Sequence, residues 1–225
     1  MLEKHLGQAI HAVHLFGSAV EGGLKPLSDI DLLVTITIPL NDSSSTALMT
    51  DLLAVSVALG AATCCRALGV TVLLYDGVEP WRYPAMRSMQ FGEWLRDHIQ
   101  AGVFESATLD TDLTILLTKV RQHSVTLYGP NAQGCFREIP SADLHRALLN
   151  TLSLWSTEAD WRGDEVNILL ALVRIWYTAT MGSIASKEVA ATWALERLPN
   201  EYKEMVGVAR EAYLGLATLA WLLTH

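Results

Sequence analysis

Residues 14–34 read HLFGSAVEGGLKPLSDIDLLV, and the rest of the chain is best understood from them. An apolar run, Ala12 to Phe16, ends at Gly17-Ser18. Ten residues follow, rich in glycine and interrupted by Pro26, before Asp29-Ile30-Asp31 leads into a second apolar run, Leu32 to Ile38. This punctuation predicts strands over about 11–16 and 30–38. Residues two apart on a strand share a face, so Asp29 and Asp31 project together while Ile30 turns to the opposite layer. Two carboxylates converging from a rigid strand suit a hard divalent cation such as Mg²⁺, which keeps several waters and substrate phosphates around it. The Gly17-Ser18 turn brings backbone N–H groups and a hydroxyl close by, a setting for phosphate. The combination predicts a metal–nucleotide site.

Outward from that stretch, residues 1–10 read as a short helix. The polar run Asn41 to Ser45 offers N-caps for an apolar helix over about 46–62. A third strand is expected at Val70 to Tyr75, closed by Asp76-Gly77, then a proline-bounded loop, Glu79 to Pro84. Helices are expected from Phe91 to Gln100 and from about Asp110 to His123. From Ser141 onward the strand pattern disappears, and helices are expected over about 141–154, 164–181, 185–197 and 200–222. Strands first and helices after predict an α+β chain with a mixed sheet in residues 1–139 and a helical bundle in 140–225, divided near Ile139-Pro140.

Of 225 residues, 51% are apolar and 18% charged, enough for a sizeable core and too apolar for disorder. A net charge of −8 argues against a nucleic-acid backbone as partner, which calls for a basic face. Cys64, Cys65 and Cys135 have neither disulfide nor zinc spacing and read as buried thiols of a reducing cytosol. Glu3, Lys4 and His5 precede any apolar run, unlike a signal peptide. The apolar run Ala212 to Leu223 is shorter than the roughly 20 residues of a membrane span and reads as a core-facing helix end. His5, His11 and His14 fit no standard metal spacing, and His11 and His14 should fall on opposite faces of the first strand.

The G-S, ten-residue, D-x-D signature resembles that of the polymerase-beta-like nucleotidyltransferase superfamily. With PWRYPAMRSMQFGEWLRDHIQAG, TILLTKVRQHSVTLYGP, TLSLWSTEADWRGDE, VRIWYTATMGSIASKEVAATWALERLP and AREAYLG, the chain resembles the streptomycin/spectinomycin adenylyltransferases, the aminoglycoside 3″/9-nucleotidyltransferases, from about His11 to Gly215. The resemblance implies transfer of AMP from ATP to an antibiotic hydroxyl, with Mg²⁺ and release of pyrophosphate. It implies metal ligation by Asp29 and Asp31, and a phosphate cradle at Gly17, Ser18 and Ser28. Arg174, Lys187 and Tyr213 match positions around the nucleotide. Trp94, Trp155, Asp160 and Asp164 match positions around the drug, where carboxylates give charge-assisted hydrogen bonds to cationic groups and indole faces hold cations or sugar edges. The implied partners are ATP and an aminoglycoside or aminocyclitol, with no nucleic acid or membrane, and a monomer is expected.

Two departures stand out. The family's third carboxylate, a Glu just before the Val-Thr run and its general base, falls at Gly69. Asp76 lies seven residues on, facing the other way, and Glu93 is a further acid whose approach the sequence leaves open. After the match ends, LATLAWLLTH does not resemble the family's charged continuation. Three readings stay open: an adenylyltransferase of reduced rate, a binder of ATP and drug without turnover, and a nucleotidyltransferase acting on protein or RNA.

Overall fold

The computed structural model describes residues 1–61 and 65–216. The chain forms two compact units, one of residues 1–24 and 28–140, the other of residues 25–27 and those from Ser141 on.

The first unit is built on five strands: β1 (Ile10–Phe16), β2 (Ile30–Ile36), β3 (Leu68–Leu74), β5 (Met89–Phe91) and β7 (Val125–Tyr128). Their order is β5-β3-β2-β1-β7, with β2 and β3 parallel and the other pairs antiparallel, so the sheet is mixed. A separate ladder joins β4 (Ala85–Arg87) and β6 (Thr108–Asp110). Alternation along the strands separates two apolar layers. Val34, Ile36, Val70 and Val72 face α2 (Asp42–Val55) and α3 (Arg96–Gln100), meeting Leu48, Met49, Leu52, Leu95 and Ile99. Leu33 and Leu73 face α4 (Asp112–Gln122) and α5 (Ala132–Cys135), meeting Leu113, Leu117 and Val120. A short α1 (Leu2–Leu6) precedes the sheet.

Several expectations need correction. Asn41, accepting from the Ser44 N–H at 2.8 Å, caps α2. That helix stops at Val55 rather than near 62, because the Ser56 hydroxyl accepts from the Leu68 N–H at 3.0 Å and donates to Glu93. The expected helix from Phe91 begins instead as strand β5, with Phe91 fully buried opposite Val70, then passes through a 3₁₀ turn at Glu93–Leu95 and becomes α-helical only at Arg96. A bulge between Ile10 and Ala12 breaks the alternation, so the His11 and His14 rings contact Tyr75 and Phe136, both of the α4/α5 layer, rather than opposite layers. Cys135 is buried as expected but Cys65 is exposed, and Cys64 lies outside the described residues.

The helical unit contains α6 (Ser141–Ser153), α7 (Glu158–Trp161), α8 (Glu165–Met181), α9 (Lys187–Leu195) and α10 (Asn200–Leu214). Its core joins Leu170, Val173, Ala191, Ala194, Val206 and Ala209, the alanines letting α8, α9 and α10 approach closely. The expected helix to 222 is described only to Leu214, and residues 217–225 lie outside the described residues. Among the described residues, no helix is long and apolar enough to cross a membrane.

Candidate active site

Asp31 sits where three strands meet. It pairs with Phe16 across the antiparallel β1–β2 ladder and with Gly69 across the parallel β2–β3 ladder. Just past Phe16 the chain turns at Gly17, whose φ of +76° lies in the left-handed region. The Gly17 carbonyl accepts from the Val20 and Glu21 N–H groups, both at 3.0 Å, which fixes the turn. A Cβ on Gly17 would overlap Asp31 Oδ2, so conformation and space both require glycine there. On the other side, a Cβ on Gly69 would lie 2.9 Å from Asp31 Oδ1 and 3.5 Å from Asp29 Oδ2. The two carboxylates therefore converge on one small space over Gly69, bounded by the Gly17 turn. Ser18 is half-buried in that turn, and buried Ser28 directly precedes Asp29.

Two carboxylates, a turn beside them and no side chain at Gly69 are a donor set suited to Mg²⁺, which takes one or two protein carboxylates and fills its octahedron with water and phosphate. No third acid completes the set: among the described residues, no group of three or more His, Cys, Asp or Glu could hold a metal. Asp76 lies in the turn Tyr75–Gly77 beyond the far end of β3. Glu93 is committed elsewhere. Arg96 Nε donates to its Oε2 at 2.7 Å and Arg96 Nη2 to its Oε1 at 3.0 Å, while Ser56 also donates to it. Burial pushes the Glu93 carboxyl up, but the guanidinium and hydroxyl outweigh burial and hold it below its ordinary value. Ser56 follows α2 and Arg96 opens α3, so this ion pair occupies the layer opposite the Asp31 face.

In the helical unit, α8 starts at Asp164, whose Oδ1 accepts from Asn167 Nδ2 at 2.7 Å. Asn167 Oδ1 in turn accepts from Lys187 Nζ at 2.9 Å, and that ammonium lies 5.5 Å from the centre of the Tyr213 ring. Asp164, Lys187 and Tyr213, far apart in sequence, are thus brought together through an asparagine the sequence reading did not select. Arg174 is half-buried two turns further along the same side of α8 as Asn167.

Asp160 is exposed and belongs to a capping box: its Oδ2 accepts from the Thr157 N–H at 2.7 Å, the Thr157 hydroxyl at 2.9 Å and the Ser156 N–H at 3.1 Å. Those donors, the Thr157 backbone foremost, hold its carboxyl below the ordinary value. Trp155 is half-buried just ahead of this cap. In the first unit, Trp94 is 62% exposed, yet its indole folds back over Gly92 so closely that any Cβ there would overlap the ring. Gly92 supports that posture, and a glycine two residues before a tryptophan was the only signal of it.

Two family models match the chain: a nucleotidyltransferase domain over residues 2–55 and the C-terminal domain of aminoglycoside adenylyltransferase over residues 134–224. An aminoglycoside (3″)(9) adenylyltransferase of Klebsiella pneumoniae is 54% identical over 215 residues, 96% of this chain and 82% of the relative. The chain belongs to the aminoglycoside adenylyltransferase family. A spectinomycin 9-adenylyltransferase of Staphylococcus aureus strain Mu50 is a family member 38% identical over 215 residues, covering 96% of this chain and 82% of its own. A solved family structure, spectinomycin adenyltransferase AAD(9) from Enterococcus faecialis with ATP and spectinomycin, superposes with a TM-score of 0.91. It is 31% identical and covers 98% of this chain and 88% of its own. Membership makes the chain a nucleotidyltransferase, a class of enzyme that uses ATP.

Proposed function

We propose that this enzyme transfers AMP from ATP to a hydroxyl of streptomycin or spectinomycin, at a rate limited by the glycine at 69. The observation that carries the proposal is the convergence of the Asp29 and Asp31 carboxylates over Gly69, beside the Gly17 turn. The names of the family's relatives and the ligands of the solved neighbour support the substrate class. In this reading a drug oxygen bonds to the α-phosphorus, the bond to the β-phosphate bridging oxygen breaks, and pyrophosphate leaves. Asp29 and Asp31 hold Mg²⁺, which when bound neutralises phosphate charge. Gly17, Ser18 and Ser28 line the phosphates, while Arg174, Lys187 and Tyr213 serve the nucleotide from the helical unit. Asp160 and Asp164 receive the drug's cationic groups, and Trp94 and Trp155 its rings. On this reading residues 1–139 are the nucleotidyltransferase domain and 140–225 the helical substrate- and ATP-binding domain of a cytoplasmic monomer.

With no side chain at 69 and Glu93 held by Arg96, the hydroxyl proton passes to water rather than to a positioned base. Most of the acceleration then comes from orientation and charge stabilisation. A second reading, binding without turnover, rests on the same glycine. Purified chain with ATP, Mg²⁺ and either drug should release pyrophosphate only when drug is present, and Asp31→Asn should abolish release. Drug-independent release, or none from a folded protein, would sink the proposal; tight calorimetric binding without release would establish the second reading.

A further inference from the structure

Two hydrogen bonds through Asn167 form a directed chain from a carboxylate to an ammonium. The amide donates from Nδ2 to Asp164 Oδ1 at 2.7 Å and accepts on Oδ1 from Lys187 Nζ at 2.9 Å. The charges at the two ends fix its orientation, because an ammonium can only donate and a carboxylate only accept. Lys187, first residue of α9, is steadied on its other side by the Tyr213 ring of α10, 5.5 Å away. Asp164 occupies the N-cap position of α8 without a side-chain capping bond, and Asn167 is the third residue of that helix. Lys187 therefore joins α9 to α8 through the exposed amide and to α10 through the ring.

We propose that Asn167 is a positioning residue that couples occupancy of Asp164 by a cationic drug to occupancy of Lys187 by ATP phosphates. The proposal rests on the roles of Asp164 and Lys187 in the adenylyltransferase reading. An ammonium has three N–H donors, and the one given to Asn167 fixes the direction in which the group points. A cation on Asp164 immobilises the carboxylate, hence the amide, hence the ammonium. The ordering achieved by one ligand then need not be repeated by the other. Linkage requires the effect to be reciprocal, and a short side-chain relay belongs at the weak end of allosteric couplings, about five-fold.

Calorimetric titration with α,β-methylene-ATP and Mg²⁺, with and without saturating streptomycin, measures the coupling without turnover. The analogue should bind about five-fold more tightly with drug present, and the drug should gain the same factor from the analogue. Asn167→Ala removes both bonds and should bring the factor to one. Asn167→Asp keeps an acceptor for Lys187 but sets a carboxylate against Asp164. It should retain analogue affinity and lose the coupling. The proposal is overturned if both ligands bind the parent chain independently, which leaves the adenylyltransferase reading standing. It is equally overturned if either folded variant keeps the coupling while both affinities fall together, the behaviour of a merely structural amide. A parent chain that binds no nucleotide analogue removes both readings.

Discussion

Gly69→Glu places a carboxyl where the sheet already aims two others, and its consequences can be worked from the geometry. Gly69 has no positive φ, so a side chain there imposes no left-handed strain. Its Cβ would meet Asp31 Oδ1 at 2.9 Å, the far end of a side chain that must shift by a few tenths of an ångström. Replacing a strand glycine also returns about 0.5–1 kcal/mol of backbone entropy. Against this, carboxylates about 4 Å apart repel by up to about 4 kcal/mol per pair at an effective dielectric near 20. Water around the half-buried Asp29 and Asp31 reduces that figure. Without divalent cation the variant should therefore melt below the parent chain, and Mg²⁺ should raise its melting temperature by more than it raises the parent's. With ATP and drug, a positioned base contributes about 10²- to 10⁴-fold, expressed in kcat with little change in KM. Drug-dependent pyrophosphate release across a substrate series, alongside thermal melts with and without MgCl₂, makes the comparison. An unchanged kcat in a folded variant whose melting responds to Mg²⁺ no more than the parent's would show that position 69 does not address the metal or the proton.

Gly17→Ala should cripple turnover and cost stability, since its Cβ would overlap Asp31 Oδ2 in a left-handed turn; a kcat within a few-fold of the parent, beyond the usual effect of a small turn adjustment, would refute the reading of that turn. Gly92→Ala should displace the Trp94 indole and raise the drug KM while leaving the ATP KM in place, whereas equal effects on both would show that Trp94 does not touch drug. His14 is fully buried, with Nε2 3.1 Å from the Pro130 carbonyl oxygen and Nδ1 without a hydrogen-bond partner among the described residues, and burial holds its imidazole below the ordinary value. A depressed histidine favours the fold above its unfolded pKa of about 6.5, and that contribution is lost as pH falls from there toward the folded value. The melting temperature should therefore drop between about pH 7.5 and 5.5 and drop less in His14→Phe; parallel slopes would assign the acid sensitivity elsewhere.

How far the sequence reveals this site depends on whether a feature is local. Gly17-Ser18 and Asp29-x-Asp31 are readable because strand periodicity and turn chemistry act within a few residues, and the three strands around them follow from the same rules. The three-residue strands β4, β5 and β6 carry no usable period, and Phe91 became a strand residue only because β3 offered an edge beside it. The length of α2 is hidden from local patterning for a similar reason: the bonds that end it run from Ser56 to Glu93 and Leu68, far along the chain. The Trp/acid pattern of 155–164 picked out Asp160 and Asp164, but not the Asn167 amide that joins Asp164 to Lys187. That amide is unremarkable in sequence and acquires meaning only when α8 and α9 bring a carboxylate and an ammonium to its two ends.

On the proposed reading, a glycine at 69 would be costly for the chemistry, yet the geometry shows that it is mild for the fold. Asp31 is placed by backbone: the β1–β2 and β2–β3 ladders pass through it on both sides, and the Gly17 turn is closed by main-chain hydrogen bonds. None of these requires a side chain at 69, and the β2–β3 register runs without a break from Ile30↔Leu68 to Ile36↔Leu74. A binding apparatus of the proposed kind, made of register and turns, would be insensitive to what one strand residue carries, whereas proton abstraction would depend on a single side chain. Substitutions at 69 should therefore separate binding from turnover. Asp31 cannot be altered so selectively, because its carboxylate is at once packed against Gly17 and turned toward the space it shares with Asp29.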